Sequence, residues 1–536
     1  MRDLIKRAFA VTLGVSFAQA ARCEKIKWGD CLDLKLGGGS LPVLCGNLTV
    51  PLDYTDVGFN KTLRLELVKV PATQGTSKGS ILLNFGGPGL SSRQTLVSAG
   101  PSLLAGTGNT LPFSCYPNQV TRLTNALMNR DSSNSSEVAA GTLWGMGQVI
   151  ADACHTNAQE IGGLVGTSFV VRDMMQIVDA LGEDGLLRYW GFSYGTTLGV
   201  TAAAMFPDRI DRMILDGVLN PHEYYNAWYD ACSHMPFGST GADIPCRDIE
   251  WFTGTDKTFS GFFRACVENP NMCALANGNS TAEELEAAVY EYLETQLKYN
   301  PIPIDEFLIE YGIAKKIILG ALYSPSQWPM LAAGFNAMLT QNSTALREIF
   351  QPASDSGIST GDEALIGIRC GDKSARLSSL QDFRPILDQL HGMSRLADAP
   401  MWLLIQCAQW KMAAKERYSG DLNANTRHPV LLIGNTFDPV TPLVSAHNVS
   451  AGLEGSVVLQ HNGYGHSSLE QGSICTAMAT QAYFVNGTLP EPGTVCEPDV
   501  PIFAPPGLTT REIHGEEGKL LEAVRNLENI VRRPQF

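Results

Sequence analysis

Leu187-Arg188-Tyr189-Trp190-Gly191-Phe192-Ser193-Tyr194-Gly195-Thr196-Thr197-Leu198-Gly199 is the stretch whose reading decides the fold. A short apolar run breaks at Gly-x-Ser-x-Gly and resumes as a pattern of small residues at helical spacing. This reads as a serine held on a sharp turn between a strand and a helix. The turn forces an unfavourable backbone conformation on the serine, and neighbouring elements pass close to the positions two before and two after it. Those positions must therefore be small. Gly191 and Gly195 meet that demand. With 52 glycines in 536 residues the motif alone is weak, so its context carries the reading. Upstream, Val171, Met174, Met175, Val178 and Leu181 recur at helical spacing and a turn follows at 182–185. Downstream, Leu198 to Phe206 reads as a helix stopped by Pro207. Helix, strand, turn and helix is the order that such a serine requires.

Moving outward, the chain alternates strand and helix patterns on both sides. Leu48-Thr49-Val50-Pro51-Leu52 and the alternating run Leu63 to Val70 read as a hairpin region, and Ser80 to Phe85 as a short buried strand running into Gly86-Gly87-Pro88-Gly89. After the serine, Arg212 to Leu215 reads as a strand ending at Asp216-Gly217. From Pro221 to about Arg427 helical patterns prevail, among them one with Ser280 and Thr281 at its start and Glu283 and Glu284 three residues on, a capping box. Strands return at Pro429 to Gly434 and Ser456 to Leu459. The expected fold class is α/β, a mostly parallel central sheet with a large helical cap inserted. Its parts are a signal peptide at 1–20, a first core half at 21–220, the cap at 221–427, a second core half at 428–507 and an amphipathic tail at 508–536.

The chemistry follows from what stands at the strand ends. Asp438 lies just past one late strand, in Asp438-Pro439-Val440-Thr441-Pro442, and His466 just past the next, in Gly465-His466-Ser467. The order Ser193, Asp438, His466 gives a nucleophile, a carboxylate that orients an imidazole, and the imidazole as base. Asp216 is the reserve acid. The glycine-rich loop at 86–89 precedes the serine, where acyl-transfer sites place one oxyanion donor; the second is the amide after the nucleophile. Gly87 and Tyr194 are the candidates.

Composition narrows the partners. A net charge of -15 supplies no basic stripe, which argues against nucleic acid and against an anionic membrane surface. Arg2, Lys6 and Arg7, the apolar run Ala8 to Phe17 and Ala18-Gln19-Ala20 read as a secretory signal peptide, and no second apolar run is expected to span a bilayer. Thirteen cysteines and sequons at Asn47, Asn60, Asn134, Asn279, Asn342, Asn448 and Asn486 agree with an oxidising, glycosylating route. No CxxC pair and no compact Cys/His cluster is present, so neither a metal nor an organic cofactor is expected.

Taken together, these residues make the sequence resemble the secreted tripeptidyl-aminopeptidase-like α/β-hydrolases, relatives of prolyl aminopeptidase. The resemblance runs from Trp28-Gly29-Asp30-Cys31 and Val50-Pro51-Leu52-Asp53-Tyr54 through the glycine loop and the serine motif. It continues through Ile368-Arg369-Cys370-Gly371-Asp372 to Asp438, His466 and the block containing Cys475 and Cys496. It implies a serine exopeptidase that removes short peptides or single residues from free N-termini, with Ser193, His466 and Asp438 in the roles above. Sequence proximity and the family pattern imply the disulfides Cys31–Cys45, Cys115–Cys154, Cys266–Cys273, Cys370–Cys407 and Cys475–Cys496, leaving Cys23, Cys232 and Cys246. An aminopeptidase needs a carboxylate for the substrate ammonium, and Glu223 and Asp230, near the start of the cap, are the candidates. The chain departs from the family in two places. It lacks a strand ending in Asp-Pro-Arg-Gly, since Ser98 to Leu104 runs directly into Gly106 to Thr110, and it carries extra sequence at Asp230 to Cys246. The same triad also serves a secreted esterase or lactonase acting on a small metabolite, and the missing strand leaves open an inactive binding protein on the same scaffold.

Overall fold

Parallel strands buried on both faces carry continuous apolar runs, and two such runs, Met213 to Leu215 within the strand Ile210–Asp216 and Leu431 to Ile433 within the strand Leu431–Phe437, lie at the centre of this molecule. The structure is a computed structural model that describes residues 25–31, 43–56, 58–72, 77–89, 111–128, 132–226, 250–276, 278–305, 307–350, 361–499 and 501–503. The signal-peptide segment, the tail, Cys23, Cys232, Cys246, Asp230 and both departures from the family pattern lie outside the described residues.

The strands in chain order are β1 (Gly29–Asp30), β2 (Leu44–Pro51), β3 (Thr62–Lys69), β4 (Ile81–Asn84), β5 (Leu187–Phe192), β6 (Ile210–Asp216), β7 (Ile302–Ile304), β8 (Phe307–Ile309), β9 (Leu431–Phe437), β10 (Val457–Tyr464) and β11 (Val495–Cys496). The helices are α1 (Gln119–Met128), α2 (Ala139–Gly162), α3 (Thr167–Leu181), α4 (Tyr194–Met205), α5 (Pro221–Asn226), α6 (Thr255–Glu268), α7 (Ala282–Glu291), α8 (Tyr311–Tyr323), α9 (Trp328–Leu339), α10 (Ser343–Ile349), α11 (Gly361–Asp372), α12 (Leu380–Met393), α13 (Met401–Ala408), α14 (Leu443–Ala451) and α15 (Ile474–Asn486).

Six strands form the central sheet in the order β11-β10-β9-β6-β5-β4, and every pairing in it is parallel. Side chains alternate between its faces as the pleat requires. Tyr189, Met213, Leu215 and Leu432 pack with α3 and α4 on one side, while Trp190, Ile214, Leu431 and Ile433 pack with Tyr483 of α15 on the other. A separate antiparallel sheet joins β1, β2 and β3, with Leu44 opposite Lys69 and Pro51 opposite Thr62. It turns Leu48, Val50 and Leu65 inward against Ala180 of α3.

Between β6 and β9 the described chain is helical apart from the short hairpin of β7 and β8. These helices bury two cores. One is aromatic, with Phe259, Phe262 and Phe263 of α6 against Trp328 and Phe335 of α9. The other contains the bonded pairs Cys115–Cys154 and Cys370–Cys407. Cys31–Cys45, Cys266–Cys273 and Cys475–Cys496 are bonded as well. The capping box resolves to Thr281 and Glu284. The threonine hydroxyl accepts from the Glu284 amide, and the glutamate accepts from the Thr281 amide. One expectation is corrected. The stretch Ala139–Leu181 is long and apolar enough to cross a membrane by length and composition, although half of its most apolar window is buried in the protein. It consists of α2 and α3, broken at 163–166, and α2 packs into the second helical core.

Candidate active site

Ser193 sits between β5 and α4 with φ 54° and ψ −124°, in the left-handed half of the map that a side chain rarely occupies. Several bonds hold it there. Its amide donates to the Asp216 carbonyl at 3.1 Å, and its own carbonyl accepts from the Thr196 amide at 2.8 Å and the Thr196 hydroxyl at 2.6 Å. The flanking glycines are steric requirements. A Cβ on Gly195 would stand 2.7 Å from the Asn84 carbonyl oxygen, and one on Gly191 would run into the Gly195 backbone. Asn84 also turns the preceding loop, accepting the Gly86 amide at 2.9 Å, and Gly86, Gly87 and Gly89 all have positive φ. Gly86 must lack a side chain, since a Cβ there would lie 2.8 Å from that of Ser193.

Asp438 is fully buried just past β9. Proline at 439 has no N–H, so the carboxylate closes an Asx turn on the next two amides, Oδ1 accepting from Val440 at 2.9 Å and Thr441 at 2.8 Å. Oδ2 accepts the Thr441 hydroxyl at 2.7 Å and the Ser467 amide at 3.1 Å. His466 Nδ1 lies 3.2 and 3.1 Å from the two carboxylate oxygens and 3.0 Å from the Thr441 hydroxyl. This network assigns the proton to Nδ1 and leaves Nε2 as the basic nitrogen. Burial works against ionisation of Asp438, but the His466 charge, its hydrogen bond and the two amides outweigh it and hold the carboxyl below its usual range. Burial likewise disfavours the imidazolium, yet the Asp438 charge and hydrogen bond raise His466 above its ordinary value.

The histidine loop is fixed from several sides. Asn435 Nδ2 donates to the carbonyls of Gly465 and Ser467 at 2.9 and 2.7 Å. Asp216, at the end of β6, accepts the Ser468 amide at 2.9 Å and the Ser468 hydroxyl at 2.6 Å. The Tyr323 carbonyl accepts the His466 amide at 2.8 Å, and its ring packs edge-on against the imidazole at 4.9 Å. The reserve acid Asp216 is thus bonded to the loop serine while Asp438 takes the imidazole. Asp216 is fully buried, and its carboxyl is pushed up to about 6 by that burial, against the pull of the Ser468 bonds.

Ser193, His466 and Gly87 line one cavity of about 260 Å³, whose far walls come from α8, α9 and the end of α10. Tyr194 is the first residue of α4, where helical geometry leaves an amide without an intrahelical partner. Its side chain is buried and bonded to Thr167. No hydrogen bond joins Ser193 to His466 among the described residues; such contacts commonly close only on substrate. Glu223 is elsewhere. It is buried on α5, accepts the Glu250 amide at 3.3 Å, and does not line the cavity. The one carboxylate on the cavity wall among the described residues is Glu470, which sequence reasoning did not single out. Thr441 was also passed over, although a hydroxyl three residues after the acid is a recurrent way of closing an Asx turn. Tyr323, Asn435 and the α8 and α9 walls carry no local motif, because they meet the site only through the tertiary fold.

A parallel sheet with a serine at the β5–α4 elbow, an acid after β9 and a histidine after β10 is the arrangement of the α/β-hydrolase fold. The chain is a serine hydrolase of that family. Residues 80–246 match the family described as alpha/beta hydrolase fold, and residues 395–496 match the one described as TAP-like protein. Among characterised relatives, the serine protease Hip1 of Mycobacterium bovis is 26% identical over 516 residues, covering 88% of this chain and 91% of the relative. The tripeptidyl aminopeptidase of Streptomyces lividans is 25% identical over 517 residues, covering 90% and 88%. A carboxylesterase B of Mycobacterium tuberculosis is 26% identical over 510 residues, covering 88% and 90%.

Proposed function

We propose that the protein is a secreted serine exopeptidase that releases short peptides or single residues from free N-termini. The observation that carries this reading is the convergence of the elbow serine, the Asp438-tethered His466 and the Gly87 loop on one cavity. Ser193 Oγ attacks the scissile carbonyl and passes its proton to His466 Nε2. The oxyanion that forms accepts from the amides of Gly87 and Tyr194, each such donor contributing about 3 kcal/mol. Asp438 keeps the imidazole in the required tautomer and stabilises the imidazolium. His466 then delivers the proton to the leaving amine as the C–N bond breaks, and an acyl-enzyme remains on Ser193. Water, deprotonated by His466, releases it.

The relatives named as a serine protease and a tripeptidyl aminopeptidase support a peptide substrate. Glu470 supports a free N-terminus, since it brings negative charge to an otherwise uncharged wall. Five disulfides support an oxidising compartment. The second reading, an ester substrate, draws on the carboxylesterase relative and the apolar cavity. Turnover of a free-amino tripeptide amide, its N-acetylated form and a short acyl ester separates the two. Losing one partner of a desolvated charge pair costs about 2–5 kcal/mol, so acetylation should lower kcat/KM by roughly 30-fold to several thousand-fold. Equal cleavage of both peptides, or turnover of esters alone, sinks the exopeptidase reading.

A further inference from the structure

We infer that the cavity is a binding site for a single large apolar group on the acyl side of the scissile bond, and that Gly334 sets its depth. The inference rests on the reading above in taking Ser193 as the point of attack. Beyond the reacting residues the wall is mainly aliphatic and aromatic, formed by Ile317 and Ile318 of α8, Met330, Leu331 and Phe335 of α9, and Phe350, with Ser324, Gln327 and Ser467 as neutral polar members. No lysine or arginine lines it, and Glu470 is its one carboxylate among the described residues. A dry apolar cavity of about 150 Å³ accommodates benzene. At about 260 Å³ this one takes a group larger than phenyl, such as an alkyl chain of roughly six to eight carbons or a bicyclic aromatic.

Gly334 identifies the limiting position. It is buried in the interior of α9 and lines the cavity, yet a Cβ built on it would meet nothing within 4 Å. Two other buried helix glycines have packing reasons. A Cβ on Gly199 would crowd Leu215, and one on Gly261 would run into Tyr464. Gly334 has no such neighbour, and glycine is a poor helix former. What its missing side chain leaves open is the cavity itself.

The test holds the leaving group constant and varies the acyl side. One series is p-nitrophenyl esters from acetyl to decanoyl. The other is free-amino peptide p-nitroanilides differing only in the residue before the scissile bond, from alanine through norleucine and phenylalanine to tryptophan. In both, kcat/KM should rise about fourfold per methylene, equivalent to about 0.8 kcal/mol, until the cavity is full. Aspartate or glutamate at that residue should be rejected, because no lysine or arginine among the described residues of the wall pairs with a buried carboxylate and Glu470 repels it. Gly334→Leu should lower the long-to-short ratio of kcat/KM at least tenfold. Gly334→Ala, which improves the helix and should raise Tm, should lower it about fourfold, the equivalent of one methylene. A flat profile in the unaltered protein, or an unchanged ratio in both variants, overturns the inference. Length dependence that persists while acetylation has no effect upholds it and removes the exopeptidase reading; the reverse result does the opposite. Should neither series turn over, the inactivation rates of alkyl fluorophosphonates of increasing chain length decide. A rise with length supports the inference, while a flat series or no inactivation overturns it.

Discussion

Replacing Ser468 with alanine removes the hydroxyl that Asp216 accepts at 2.6 Å and leaves the amide bond at 2.9 Å in place. Asp216 is fully buried, and burial already lifts its carboxyl from the ordinary 3.8 to about 6 despite both Ser468 bonds. A hydrogen bond to a charged group is worth about 1.5–3 kcal/mol. With Asp216 ionised at pH 8, the variant should therefore be less stable by about 2 kcal/mol. Because the ionised form loses more than the neutral form, the carboxyl of the variant rises further. An acid whose folded value exceeds its unfolded value makes the folded state bind the extra proton, so stability is lost as pH rises through the folded value. In the variant that loss extends to higher pH. At pH 5 both proteins carry a neutral Asp216, and the difference should shrink to about 1 kcal/mol, the worth of an ordinary hydrogen bond. Denaturant unfolding at the two pH values reads this directly, and in calorimetry the gap should be about 2 °C at pH 8, at about 1 °C per kcal/mol for a chain of this length. A gap that is equal at both pH values, or wider at pH 5, would refute the assignment of Asp216 as an ionised clamp on the His466 loop.

Asp438→Asn should keep the fold and lower kcat by about four orders of magnitude, because an amide no longer selects the imidazole tautomer; a loss below tenfold would reassign the acid. Gly254→Ala places a Cβ against the carbonyl oxygen of Asp438, so activity should drop at least tenfold with near-native circular dichroism, although residue 254 touches no substrate. Asp372 is fully buried with its carboxyl pushed up to about 6 by that burial, so its contribution to stability is lost as pH rises from about 4 through about 6. Asp372→Asn should flatten the dependence of Tm on pH between 5 and 7.5, and an unchanged slope would exclude that group.

How far the sequence could be read depended on whether the relevant interaction was local. Ser193, Asp438 and His466 were legible because each stands where a strand pattern ends. Gly191 and Gly195 were legible because the elbow geometry forces their size. The capping box at Thr281 and Glu284 is a three-residue interaction and could be placed within one position. Glu223 was a different case. A carboxylate near the start of a helical segment looks available in the sequence, but the fold buries it against the Glu250 amide, whereas Glu470, four residues after the histidine, reaches the cavity wall. The tie between Asp216 and Ser468 spans 252 positions, and the Gly334 opening exists only because α8, α9 and the end of α10 come together over Ser193. Nothing local announces either feature. The expectation of no second apolar run long enough to span a bilayer missed Ala139–Leu181, because apolar helices packed into a protein core and helices built for lipid share the same composition.

In the proposed mechanism Ser193 carries the acyl group. That role is tested most directly by treating the protein with a fluorophosphonate, digesting it and locating the adduct by mass spectrometry. One stoichiometric adduct is expected on the peptide containing Ser193, formed in step with the loss of hydrolysis and absent from Ser193→Ala, which should itself fall by orders of magnitude in kcat. An adduct on another residue, or a Ser193→Ala variant within tenfold of the parent, would contradict it.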